Sequence, residues 1–222
     1  MSNQSQIYAS QSGSVLQVNK VLRNTYTLLA MTLAFSAIVA TVAAAVNAPP
    51  VHWAFMLIGF YGLLFLVHKT ANSSAGIISV FALTGFMGYT LGPILGMLVG
   101  AGAGELVAMA LGGTALIFFA LSGYVLTTKK DMSFMGGMLT AGMVVLLVAV
   151  VANLFLQVPA LGLAISALFM LFSSALIMYQ TSEIIHGGER NYILATVTLF
   201  VSLYNIFISL LNLLMAFAGG DD

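Results

Sequence analysis

Apolar residues gather in long unbroken runs along this chain and do not alternate with polar ones. Seven runs stand out, at 25–46, 51–67, 75–99, 106–127, 134–157, 160–180 and 192–217, separated by short polar or turn-forming segments. A helix needs about 20 mostly apolar residues, with a range of about 17–25, to cross a bilayer. All seven qualify; the second is the shortest, fixed between Pro49-Pro50 and His68-Lys69. Lipid admits only structures that satisfy their own backbone, which means helices or closed barrels. Barrel strands would read as alternating segments of about 10 residues, and none is present. The pattern predicts an all-α polytopic membrane protein of seven transmembrane helices. Ahead of them, 1–19 is rich in Ser, Gln and Asn and has no charged side chain. Such a segment buries too little apolar surface to fold and is expected to be a disordered tail, with 20–222 forming one membrane domain.

Composition sharpens the class. Of 222 residues, 61% are hydrophobic and only 5% are charged, against about 25% charged in an ordinary soluble domain. Net charge is zero, so nothing marks a nucleic-acid partner. Cysteine is absent, which removes disulfides, thiolate metal ligands and thiol nucleophiles. The six bases are informative by position. Lys20 and Arg23 precede the first run, Lys69 follows the second, Lys129 and Lys130 follow the fourth, and Arg190 follows the sixth. With seven spans all six fall on one side, which the positive-inside rule makes cytoplasmic. The expected topology is N-terminus in and C-terminus out. Ala43-Ala44-Ala45 invites a signal-peptide reading, but the first run is longer than the roughly 7–15 residues of a signal core, and it is taken as a span.

Several polar and small residues recur with helical spacing. Gly88, Gly92, Gly96 and Gly100 place a small residue at every fourth position of the third span. Such ladders let backbones approach where no hydrophobic force drives association; the ladder serves intramolecular packing or, alternatively, a homo-oligomer. Pro93 within it predicts a kink. In the seventh span Thr198, Ser202, Asn205, Ser209 and Asn212 fall on one stripe. An amide in hydrocarbon is costly unless bonded, so that span belongs inside the bundle. Ser166, Ser173 and Gln180 make a thinner stripe on the sixth span, to be bonded to the seventh or to line a polar path or ligand cavity with it. Acids stay at the margins: Glu105, Asp131, Glu183 and Glu189. None sits at mid-membrane, where a charge costs at least about 2.5–3.5 kcal/mol. Glu183 and His186 share a helix face, but one acid and one imidazole are a poor metal set. No nucleotide-binding or zinc-protease motif occurs, and His52, His68 and His186 all lie near span ends. No catalytic residue, metal site or cofactor is expected, and the chain reads as a non-enzyme.

The run Gly76-Ile77-Ile78-Ser79, then Gly88-Tyr89-Thr90-Leu91-Gly92-Pro93-Ile94-Leu95, resembles the signature of the BAX inhibitor-1 family. The similarity continues through Ala110 and Thr114-Ala115-Leu116-Ile117-Phe118. Lys20-Val21-Leu22-Arg23-Asn24-Thr25-Tyr26, Thr128-Lys129-Lys130-Asp131-Met132-Ser133-Phe134 and Ile184-Ile185-His186-Gly187-Gly188-Glu189 are similar to its bacterial YccA-like branch. The resemblance implies six helices around a central seventh, a bacterial inner-membrane address, and a regulator that binds the membrane-anchored protease FtsH. It implies that this chain, as regulator or competing substrate, itself binds neither nucleotide nor zinc. The alternative it carries is a calcium or cation leak. Leaking members have an aspartate in each of the last two helices; aligned on Tyr179 and on Ser202-Leu203-Tyr204, those positions are Gln180 and Ile206, which cannot share a proton as two carboxylates do.

Overall fold

The computed structural model describes the backbone of residues 2–219 and the side chains of residues 16–219. Seven helices follow in order among them: α1 (Ser2–Ala45), α2 (Trp53–Thr70), α3 (Ala75–Gly100), α4 (Gly104–Thr128), α5 (Met135–Leu156), α6 (Pro159–His186) and α7 (Tyr192–Ala218). Each contains a stretch long and apolar enough to cross a membrane. The expected tail falls mostly outside the residues whose side chains are described. Residues 16–19 are helical and belong to α1, which carries its apolar run on to Ala45.

Helix ends follow local chemistry. Asn191 caps α7, its Oδ1 accepting from the backbone N–H of Ile193 at 2.9 Å and Leu194 at 3.3 Å. Pro159 opens α6, where a missing N–H costs nothing. Gly187 ends α6 in the left-handed region at φ 78. Pro93 lies inside α3, which is helical on both sides of it. α6 also runs past its expected limit, continuing to His186 where 180 was the expected end. Thr181 and Ser182, just beyond that expected end, are both completely buried.

α7 is the central helix. Of its most apolar window 61% is buried, against 6% for α2 and 11% for α5. Helices α1, α3, α4 and α6 each pack on α7 and on one another in the cyclic order α1–α3–α4–α6. Outside that ring, α2 leans on α3 and only brushes α7, while α5 touches α6 alone. The expected surround of six is therefore a surround of five, with α5 standing behind α6. The core is the sleeve around α7: Leu28 and Leu29 of α1, Val80 and Leu83 of α3, Phe118 of α4, Ile177 of α6, and Leu199, Phe200, Leu203 and Ile206 of α7 itself.

Candidate functional site

The glycine ladder meets α1. A Cβ on Gly88 would run into the carbonyl oxygen of Ser36, and one on Gly92 into the Cβ of Ala43, with the carbonyl oxygen of Ala40 at 3.1 Å. Gly96 faces Ala44, whose carbonyl oxygen would lie 3.4 Å away. Gly100 has nothing within 4 Å. Three rungs thus form a close backbone seam between α3 and α1, and the fourth is open.

The α7 stripe divides lengthwise. Ser202 and Ser209 are buried, Thr198 and Asn205 half-buried, and Asn212 exposed. Thr198 Oγ1 donates to the carbonyl of Leu194 at 3.1 Å and Ser202 Oγ to that of Thr198 at 2.8 Å. Both hydroxyls therefore bond within their own helix. Asn205, Ser209 and Asn212 make no side-chain hydrogen bond among the described residues. On α6, Ser166 bonds back to the carbonyl of Gly162 at 3.1 Å. Ser173 Oγ and Gln180 Nε2 are buried without a partner. No hydrogen bond joins the two stripes among the described residues. Ile206, completely buried, is packed into the apolar core with Ile177 and Phe118.

The densest polar structure lies elsewhere, at the end of the bundle that carries the Lys and Arg residues. Tyr26 of α1, Ser122 of α4 and Thr181 of α6 bring three hydroxyls together: Tyr26 bonds Ser122, and Thr181 Oγ1 lies 3.4 Å from Tyr26 and 3.5 Å from Ser122. On the next residue, the buried Ser182 Oγ accepts from the backbone N–H of Met132 at 2.9 Å. His186 Nε2 donates to the carbonyl of Lys129 at 3.1 Å, and its Nδ1 lies 3.2 Å from Ser182 Oγ. These bonds clamp the α4–α5 connection to the end of α6. Asp131, in that connection, is held below the ordinary carboxylate range by the backbone N–H and hydroxyl of Ser133, with the nearby His186 adding to them. Across the bundle, Asn191 Nδ2 donates to the carbonyl of Ala71 at 3.0 Å and to Asn72 Oδ1 at 2.9 Å. Thr196 Oγ1 reaches the carbonyl of Thr25 at 3.2 Å. With His186 engaged on backbone carbonyls, its pairing with Glu183 as a cation site loses its imidazole. Among the described residues no three His, Asp or Glu side chains come together.

Residues 18–219 match the family model described as inhibitor of apoptosis-promoting Bax1. The chain belongs to that family. It is 62% identical over 208 residues, 94% of each chain, to an Escherichia coli K12 protein named modulator of FtsH protease YccA. The same identity and coverage hold for an E. coli O6:H1 protein named inner membrane protein YccA. An uncharacterized membrane protein of Vibrio cholerae is 43% identical over 201 residues, 90% of each chain.

Sequence reasoning found Gln180 and the α7 stripe but not the Tyr26–Ser122–Thr181 cluster or the Ser182–His186 clamp. Single hydroxyls in an apolar helix ordinarily satisfy themselves on the preceding turn, so nothing in Tyr26 or Ser122 singles them out. A signal was present at Gln180-Thr181-Ser182, three polar residues in succession, of which at least one must face the bundle at 100° per residue.

Proposed function

We propose that this protein is a bacterial inner-membrane regulator that binds the FtsH protease complex and modulates its proteolysis of membrane proteins. The observation that carries the reading is the 62% identity, across 94% of both chains, to the E. coli modulator of that protease. Its role is to bind and compete, with no chemistry of its own: among the described residues the buried hydroxyl cluster bonds to no imidazole or carboxylate that would make it a nucleophile. The reading includes the orientation drawn from the six bases, with the N-terminal segment on the cytoplasmic side as the end that a processive protease would grip as a handle.

A mild-detergent pull-down from native membranes tests the partner, with the tag on the C-terminus so that the N-terminal segment stays free. Near-stoichiometric recovery of a membrane AAA protease is expected; its absence from a clean pull-down overturns the reading. Deleting residues 1–18 tests the handle. The shortened protein should persist longer than the full chain in cells with active protease, and an unchanged half-life removes that role. The leak reading keeps one observation in its favour, the buried and unpartnered Gln180 Nε2, against an apolar Ile206.

A further inference from the structure

A cavity of about 490 Å³ lies at the basic end, between α1 and the ends of α4 and α6. Its walls are of two kinds. Leu22, Leu126 and Ile185 supply apolar surface from three different helices, and Lys129 and Arg190 stand over them as cations. The one carboxylate in the lining, Glu189, is engaged by the backbone, its Oε1 accepting the N–H of Asn191 at 2.7 Å. Arg190 is fixed at its base, Nε donating to the carbonyl of Gly187 at 3.2 Å. Its terminal amino groups make no hydrogen bond among the described residues. Lys129 is fixed through its backbone, left-handed at φ 52 with its carbonyl accepting from His186. Its ammonium group likewise makes no bond among the described residues. His186 also lines the cavity, but its ring is spent on that carbonyl.

Depth identifies the occupant. At 28 residues and about 1.5 Å per residue, α6 is roughly 42 Å long, more than the hydrocarbon core of about 30 Å. Its last turn, with Ile185 and His186, therefore reaches headgroup level. Two cations above an apolar wall at that level match the charge and polarity profile of a phospholipid with an anionic headgroup. We propose that this cavity binds one anionic phospholipid, its phosphate between Lys129 and Arg190 and its first acyl methylenes against Leu22, Leu126 and Ile185. The site is independent of the protease reading and of which membrane face the basic end occupies.

The test uses the full-length protein in mild detergent, titrated with phosphatidylglycerol or phosphatidylcholine and read by native mass spectrometry. One phosphatidylglycerol should be retained in preference to phosphatidylcholine. Lys129→Gln and Arg190→Gln should each weaken retention about fivefold, and together about thirtyfold. Lys130→Gln removes a cation outside the cavity and should change retention less than about twofold. Glycerol phosphate, which has the headgroup charge and no acyl chain, should not compete. Equal retention of the two lipids, or an equal loss with Lys130→Gln, would reduce the effect to diffuse surface attraction and overturn the site. Displacement by glycerol phosphate at comparable concentration would make it a free-anion site and overturn the lipid.

Discussion

The two ends of the bundle are held together by different forces. At the basic end, side-chain hydrogen bonds cross between helices: Tyr26 to Ser122, Ser182 to Met132, His186 to Lys129, Thr70 to Ser79, Asn191 to Ala71 and Thr196 to Thr25. Towards the opposite end such ties thin out to the Thr90–Tyr204 hydroxyl pair at 3.1 Å. Beyond it, Thr41 and Thr114 bond within their own helices and Asn153 Oδ1 has no partner. What replaces the bonds there is contact of backbone on backbone, Gly88, Gly92 and Gly96 against α1. Lipid offers no hydrophobic drive for helices to associate. Each end therefore needs its own device: directional bonds fix register at one, and the absence of side chains permits dispersion at the other.

The harshest way to break this contrast is Gly88→Ala. The added methyl meets the backbone oxygen of Ser36, not a flexible side chain, so a helix has to move, at a cost of about 3 kcal/mol. Melting in detergent should show the loss clearly, while Gly100→Ala, in open space, should stay within about 0.5 kcal/mol of the parent. Equal effects would mean the seam is not tight. At the bonded end, Ser182→Ala strands the backbone N–H of Met132 in a buried place. The expected cost is about 1–3 kcal/mol, accompanied by faster proteolysis at the 129–134 connection.

Asn205→Leu should be milder. Its amide is half-buried and makes no bond among the described residues, so stability should change by less than about 1 kcal/mol. The same variant sharpens the transport question. If calcium flux is measured in dye-loaded liposomes, Asn205→Leu should reduce it, and no flux from the parent near neutral pH retires the leak reading. The smallest effect belongs to Asp131. Its lowered pKa means that the folded state favours the carboxylate. That contribution is present above the unfolded value of about 3.9 and fades as pH falls through the lower folded value. Asp131→Asn should therefore leave melting unchanged in its slope with pH from neutral down to about pH 5, and flatten it only below about 4. A difference near neutrality would assign the effect to another group.

Much of this was legible beforehand, for physical reasons that differ by feature. The seven helices follow from run length, because lipid thickness sets a ruler that the sequence must match. The centrality of α7 was read from its line of polar residues, of which the hydroxyls Ser202 and Ser209 are buried while the amides Asn205 and Asn212 are not. The glycine ladder announced a close approach, but its partner α1 offers Ser36, Ala40, Ala43 and Ala44, small residues too common in apolar helices to be read as the other half. Helix ends were the weakest point. Thr181 and Ser182 fell outside the expected sixth span, and what buries their hydroxyls there is partners, Tyr26 and Met132, that lie 155 and 50 residues away in sequence. The stripe on α7 was read as one line of polar residues, and its division into a buried and an open edge depends on how the ring of helices closes around it.

The placement of α1 bears on how the molecule would come apart under load. It is wedged against α3, α7 and α6 at once, whereas α5 is attached through α6 only. A motor drawing the chain out by its N-terminus would have to shear the α1–α3 seam as its opening stroke, before any weakly held helix could yield. Resistance would be greatest at the first step and fall once α1 had left. Such a chain is slow to start down and quick to finish, a mechanical profile that would keep a protease engaged on it while other substrates wait.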